Sequence, residues 1–95
     1  MRLLTLLDHL LAGADDTAQR LAPEGVDRLD APLRETLVAY ASCDLNVGAT
    51  ARRLHLHPNT VHYRLRRLER ITGKDVRSFS DVVDLVAAVR LLSPT

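Results

Sequence analysis

The spacing A-x-x-L-x-L-x-x-x-T-V-x-x-x-L, which runs from Ala51 to Leu65, constrains this chain more than any other feature. It lies in the stretch VGATARRLHLHPNTVHYRLRRL, residues 47–68. Its apolar positions fit a short helix, a tight turn and a longer helix. Ala51 is small where two helices must cross closely, and Leu54 and Leu56 pin the turn into a core. Val61, Leu65 and Leu68 then recur on one face of the second helix. This is the pattern of a helix-turn-helix, whose second helix enters the major groove of DNA. His55 occupies the turn position where many such motifs carry glycine. Histidine tolerates positive φ better than most residues, so the turn is still expected to form.

The second helix divides by angle when each residue advances by about 100° from Pro58. Val61, Leu65, Leu68 and Thr72 fall between about 280° and 340°, which makes a core face. Asn59, Tyr63, Arg66, Arg67 and Arg70 fall between about 80° and 180°, and His62 lies on the rim at about 40°. An amide, a phenol and three arginines opposite an apolar seam have the chemistry to read base edges and hold phosphates. Residues near the start of such a helix penetrate deepest. His57, Pro58, Asn59, His62 and Tyr63 are therefore the base-reading candidates, followed by Arg66. Arg66, Arg67 and Arg70 lie further along the helix and are expected to clamp the backbone. Thr60, Arg52 and Arg53 are expected to contact phosphate.

The formal net charge of the 95 residues is only +1, but it conceals a strong asymmetry. Residues 1–45 carry four basic and eight acidic groups, a net of −4. Residues 46–77 carry eight basic groups against Glu69 and Asp75, a net of +6, and residues 78–95 carry −1. Seven of those eight basic groups are arginine, whose planar fork suits bidentate contact with phosphate or guanine. The basic segment coincides with the helix-turn-helix.

The rest of the chain reads as helical, so the expected fold is all-α, a small domain of five to six helices containing the helix-turn-helix. Helices are expected over about residues 2–12 and 15–21, the first rich in leucine. Residues 23–30, with Pro23 and Gly25, form a connection with a short helical turn. A helix capped by Asp30 with Pro32 in its first turn runs to Ser42, burying Leu33, Leu37, Val38, Tyr40 and Ala41. Asn46 caps the helix from Val47 to Leu54, and the helix from Pro58 to Thr72 is closed by Gly73. A last helix spans about Asp81 to Leu92, opened by a Ser78-x-x-Asp81 capping box. The division into domains follows: residues 1–30 as an N-terminal segment for dimerisation or linkage, and residues 31–95 as the DNA-binding domain.

Several function classes are excluded. The single cysteine, Cys43, leaves no internal disulfide and points to a reducing compartment. No apolar run approaches the roughly 20 residues of a membrane span. Met1–Leu11 lacks the uninterrupted apolar stretch and cleavage site of an export signal. His55, His57 and His62 cluster, but a closed zinc site needs four ligands at fixed spacing, so neither metal nor other cofactor is expected. Nucleophile elbows, phosphate loops and metalloprotease motifs are all missing, and Cys43 beside Asp44 lacks the electropositive setting of a reactive thiolate. The chain is not read as an enzyme.

Three further pieces sharpen the reading: L-x-x-T-L-x-x-Y at Leu33–Tyr40, N-V-x-x-T-A-R-x-L-x-x-H at Asn46–His57, and N-T-V-x-Y-R-L-x-R-x-E at Asn59–Glu69. With them, residues 20–92 resemble the C-terminal helix-turn-helix domain of the PucR/CdaR family of bacterial transcriptional regulators. They resemble Fis-type nucleoid proteins less closely. The resemblance implies the DNA-binding output module of a larger cytoplasmic regulator, nucleoid-associated when bound, whose other part senses a metabolite. Members of such families regulate purine, sugar-diacid or amino-acid use, commonly as activators. His57, Pro58 and His62 stand where the family often carries basic or other polar residues, which bears on the operator sequence. Double-stranded DNA and a second copy of the chain are the expected partners. A protein-interaction or dimerisation module and a Fis-like DNA-bending protein are the alternative readings.

Overall fold

Side chains that accept the first free N–H groups start the helices of this protein, and two left-handed residues stop them where the site is built. The computed structural model describes residues 25–92. They form a 3-10 turn, Val26–Arg28, and four helices: α1 Ala31–Ser42, α2 Val47–Leu54, α3 Pro58–Thr72 and α4 Phe79–Leu92. The all-α class is observed, with no strand among the described residues, and four helices stand where five to six were expected. The helices expected over about residues 2–12 and 15–21 lie outside the described residues.

Asp30 Oδ1 accepts the Leu33 N–H at 3.0 Å and Asn46 Oδ1 the Ala49 N–H at 2.8 Å, so both expected caps form. Each such cap contributes about 1 kcal/mol. Ser78 Oγ accepts the Asp81 N–H at 3.3 Å, but α4 starts at Phe79, two residues before the expected Asp81. The Ser78-x-x-Asp81 box is half formed. Asp81 Oδ2 accepts the Asp75 N–H at 2.8 Å instead of reaching back to Ser78, whose N–H goes to the Asp75 carbonyl.

The core lies where α1 meets the other three helices. Leu33, Leu37, Tyr40 and Ala41 of α1 are buried with Ala51 of α2, Val61, Leu65 and Leu68 of α3, and Val82, Leu85, Val86 and Val89 of α4. Val26 and Leu29, beside the 3-10 turn, join the same cluster. The turn approaches the end of α3 so closely that a Cβ on Gly25 (φ 87°) would stand 2.4 Å from the Ile71 carbonyl oxygen. Arg28 Nη2 donates to that oxygen at 3.3 Å. The buried polar residues of the described core are Thr36, Thr50 and Thr72. Each donates its hydroxyl to the carbonyl four residues back, so none is buried unsatisfied.

The segment between α3 and α4 is held through Val76. Its N–H donates to Glu69 Oε2 at 3.0 Å, and its carbonyl accepts the buried Tyr40 hydroxyl at 3.0 Å. Both polar groups of a buried backbone unit are thereby satisfied by side chains from different helices. This clamp sets the direction in which the chain leaves α3.

Candidate nucleic-acid interface

The turn between α2 and α3 is a Schellman motif built on histidine. His55 adopts φ 57° and ψ 44°, the left-handed region in which its sequence position required a tolerant residue. Its N–H donates to the Arg52 carbonyl, and the Leu56 N–H reaches back to the Ala51 carbonyl at 2.9 Å. Ala51 is 2% exposed, and that small side chain lets α2 and α3 pack closely. Leu56 packs against the core from the turn, while Leu54 is half-buried.

Immediately after the turn, His57 opens α3. Its Nδ1 accepts the Asn59 N–H at 3.0 Å, and its carbonyl accepts the Thr60 N–H at 2.9 Å. Pro58 follows in the first turn, where its missing N–H leaves no bond unmade. Val61, Leu65, Leu68 and Thr72 are all buried, as the helical angles required. Pro58, Asn59, His62, Tyr63, Arg66, Arg67 and Arg70 are all exposed. Tyr63 is 59% exposed, so its ring stands out from the surface rather than filling the core. Thr60 is half-buried at the edge of the face, and Arg52 and Arg53 are exposed on α2.

The electrostatics of the face are decided by where the carboxylates go. Glu69, the one acidic residue of α3, turns its carboxylate to the Val76 N–H. Asp75 pairs with Arg77 at 3.5 Å, and Lys74 with Asp84 at 3.4 Å. Its hydrogen bond from the Arg77 N–H holds the Asp75 carboxyl below its ordinary value, with the Arg77 charge adding to the effect. Among the described residues, Arg52, Arg66, Arg67 and Arg70 have no carboxylate partner. Two basic groups of the +6 segment are thus ion-paired, and the six arginines of α2 and α3 have no carboxylate partner among the described residues.

Two arginines make contacts within the protein that the sequence does not announce. Arg53 Nη1 donates to Ser42 Oγ and lies 4.0 Å from Cys43 Sγ, which ties it back to the end of α1. The expectation that Cys43 lacks a cationic neighbour is thereby corrected; the neighbour is ten residues away in sequence, on α2. Arg64, which the sequence reading left out of the site, is half-buried and donates to Thr36 Oγ1 at 3.2 Å. At about 240° on the helix it flanks the apolar arc, and that angle is the signal that marks it as an inter-helix residue. Among the described residues, no group of three His, Cys, Asp or Glu side chains could hold a metal ion. No helix among them is long and apolar enough to cross a membrane.

Comparison with known proteins agrees with this geometry. The profile of the family described as PucR C-terminal helix-turn-helix domain matches residues 33–91. The carbohydrate diacid regulator of Escherichia coli is 34% identical over 93 residues, covering 96% of this chain and 24% of that protein. The purine catabolism regulatory protein of Bacillus subtilis is 34% identical over 91 residues, 96% of this chain and 17% of that protein. The transcriptional activator PmfR of Paenarthrobacter nicotinovorans is 41% identical over 58 residues, 61% of this chain and 12% of that protein. The chain therefore spans a quarter or less of the length of these relatives. No solved structure matches it.

Proposed function

Because the chain belongs to the family of PucR C-terminal helix-turn-helix domains, we propose that it binds double-stranded DNA in a sequence-specific way, as the output domain of a bacterial transcriptional regulator. The observation that carries this reading is the exposed face of α3, where arginines with no carboxylate partner among the described residues stand opposite a buried seam. In this reading α3 lies in the major groove. His57, Pro58, Asn59, His62 and Tyr63 meet base edges, and Arg66 follows. Arg67, Arg70, Arg52, Arg53 and Thr60 hold phosphates on either side. Residues 1–30 serve dimerisation or linkage, and a metabolite is sensed elsewhere in the regulator.

Two substitutions and a salt titration test this reading together. For a site that contacts about five phosphates, the logarithm of the binding constant falls by about 4 to 5 per decade of salt. Arg66→Ala and Asn59→Ala are each expected to weaken operator binding by about 1–3 kcal/mol in fluorescence anisotropy, with the thermal melt unchanged. Parental affinity in both variants would overturn the assignment of α3. A flat salt dependence would favour a protein-interaction module instead.

A further inference from the structure

On the reading that α3 meets the major groove, we infer that His57 is a specificity-determining residue that reads a guanine N7 through its Nε2–H. His57 Nδ1 accepts the Asn59 N–H at 3.0 Å, which requires a lone pair on Nδ1 and so places the ring proton on Nε2. The same bond fixes the ring, because rotation about its side-chain torsions would release the capped N–H. The His57 ring is exposed, and no described side chain takes its Nε2. His57 therefore offers DNA a donor and no acceptor, in one fixed direction, from the residue next to α3.

That restriction has a consequence for sequence. Asn59 carries both a donor and an acceptor in its carboxamide and matches an adenine edge. A donor alone cannot distinguish all four bases. It favours guanine, which presents N7 and O6 side by side as acceptors, and it rejects cytosine, whose edge presents only an amino donor. A phosphate oxygen would also accept the bond, but would carry no base preference.

The test selects operators from a random DNA library with the parent chain and with His57→Asn, at pH 8. Asparagine preserves the cap but is too short to present the same donor. The expected result is one strongly preferred guanine in the parent consensus that becomes degenerate in the variant, with the other positions unchanged. A second measurement needs no variant: 7-deazaguanine at that position is expected to weaken parental binding by about three- to tenfold. An unchanged consensus, an equal loss of affinity on all sequences, or indifference to 7-deazaguanine would each overturn the role of His57. None of these outcomes touches the DNA-binding reading, which fails if the parent selects no consensus and its binding is indifferent to salt.

Discussion

His55 is the residue at which function and backbone geometry meet most tightly. It holds φ 57° without being glycine, on an exposed position with no side-chain bond among the described residues. A side chain in this region costs about 1 kcal/mol, and glycine returns part of that gain as entropy in the unfolded chain. His55→Gly is therefore expected to stabilise the domain by about 0.5 kcal/mol, read as a melting temperature a few degrees higher. Tyr40 makes the opposite kind of contribution. Burial pushes its phenol above the ordinary value, and the Glu69 and Asp75 carboxylates add to the shift. The native state thus holds the phenol proton more tightly than the unfolded chain does. The stability this confers is complete below about pH 10 and is lost as pH rises beyond it. Tyr40→Phe should cost about 1–2 kcal/mol at neutral pH by leaving the Val76 carbonyl without its donor. The gap between variant and parent should then narrow above pH 10 in urea titrations; a gap that stays constant would rule out the phenol as its source. The turn position of His55 was legible in the sequence, because the motif demands a left-handed residue there. The roles of Tyr40 and Glu69 were not, because Val76 has no sequence feature that announces a clamp.

At the scale of elements, α1 and α3 are joined by more than apolar contact. The buried Thr36 hydroxyl donates to the Pro32 carbonyl and accepts from Arg64 Nη1, linking α3 to α1. We expect Thr36→Val to cost about 1 kcal/mol. A double-mutant cycle with Arg64→Met should return a coupling of about 0.5–1 kcal/mol. Zero coupling would show that the bond contributes nothing and that apolar packing alone sets the roll of α3. Boundaries were legible where periodicity and caps coincide, as in α2 and α3, whose ends fall at the expected residues. They were less so at α4. Its apolar stripe begins with Val82, but Ser78 caps a helix that already includes Phe79 and Ser80. Asp81, which looked like half of a capping box, is taken by Asp75, a partner that only the path of the α3–α4 segment brings near.

For the molecule as a whole, one helix-turn-helix covers too few base pairs for a unique operator, so two copies are required in the proposed function. Their recognition helices would stand about 34 Å apart, one turn of DNA or a multiple of it. The predicted consensus is accordingly a palindrome with half-sites about 10 base pairs apart from centre to centre. A single unrepeated half-site would argue against a symmetric dimer. Taken alone, the sequence determined the all-α class, the helix-turn-helix and the arc of α3 that is exposed, because helical periodicity is a local property of the backbone. It also located the basic segment beneath a net charge of +1. Which of those charges are free was decided only by the tertiary structure. Lys74 finds Asp84 and Arg53 finds Ser42, while Glu69 turns to Val76 and leaves the arginines of α3 without a carboxylate partner among the described residues. Partners distant in the chain meet only when the helices pack, so the charge that α3 presents at the surface is a property of the fold.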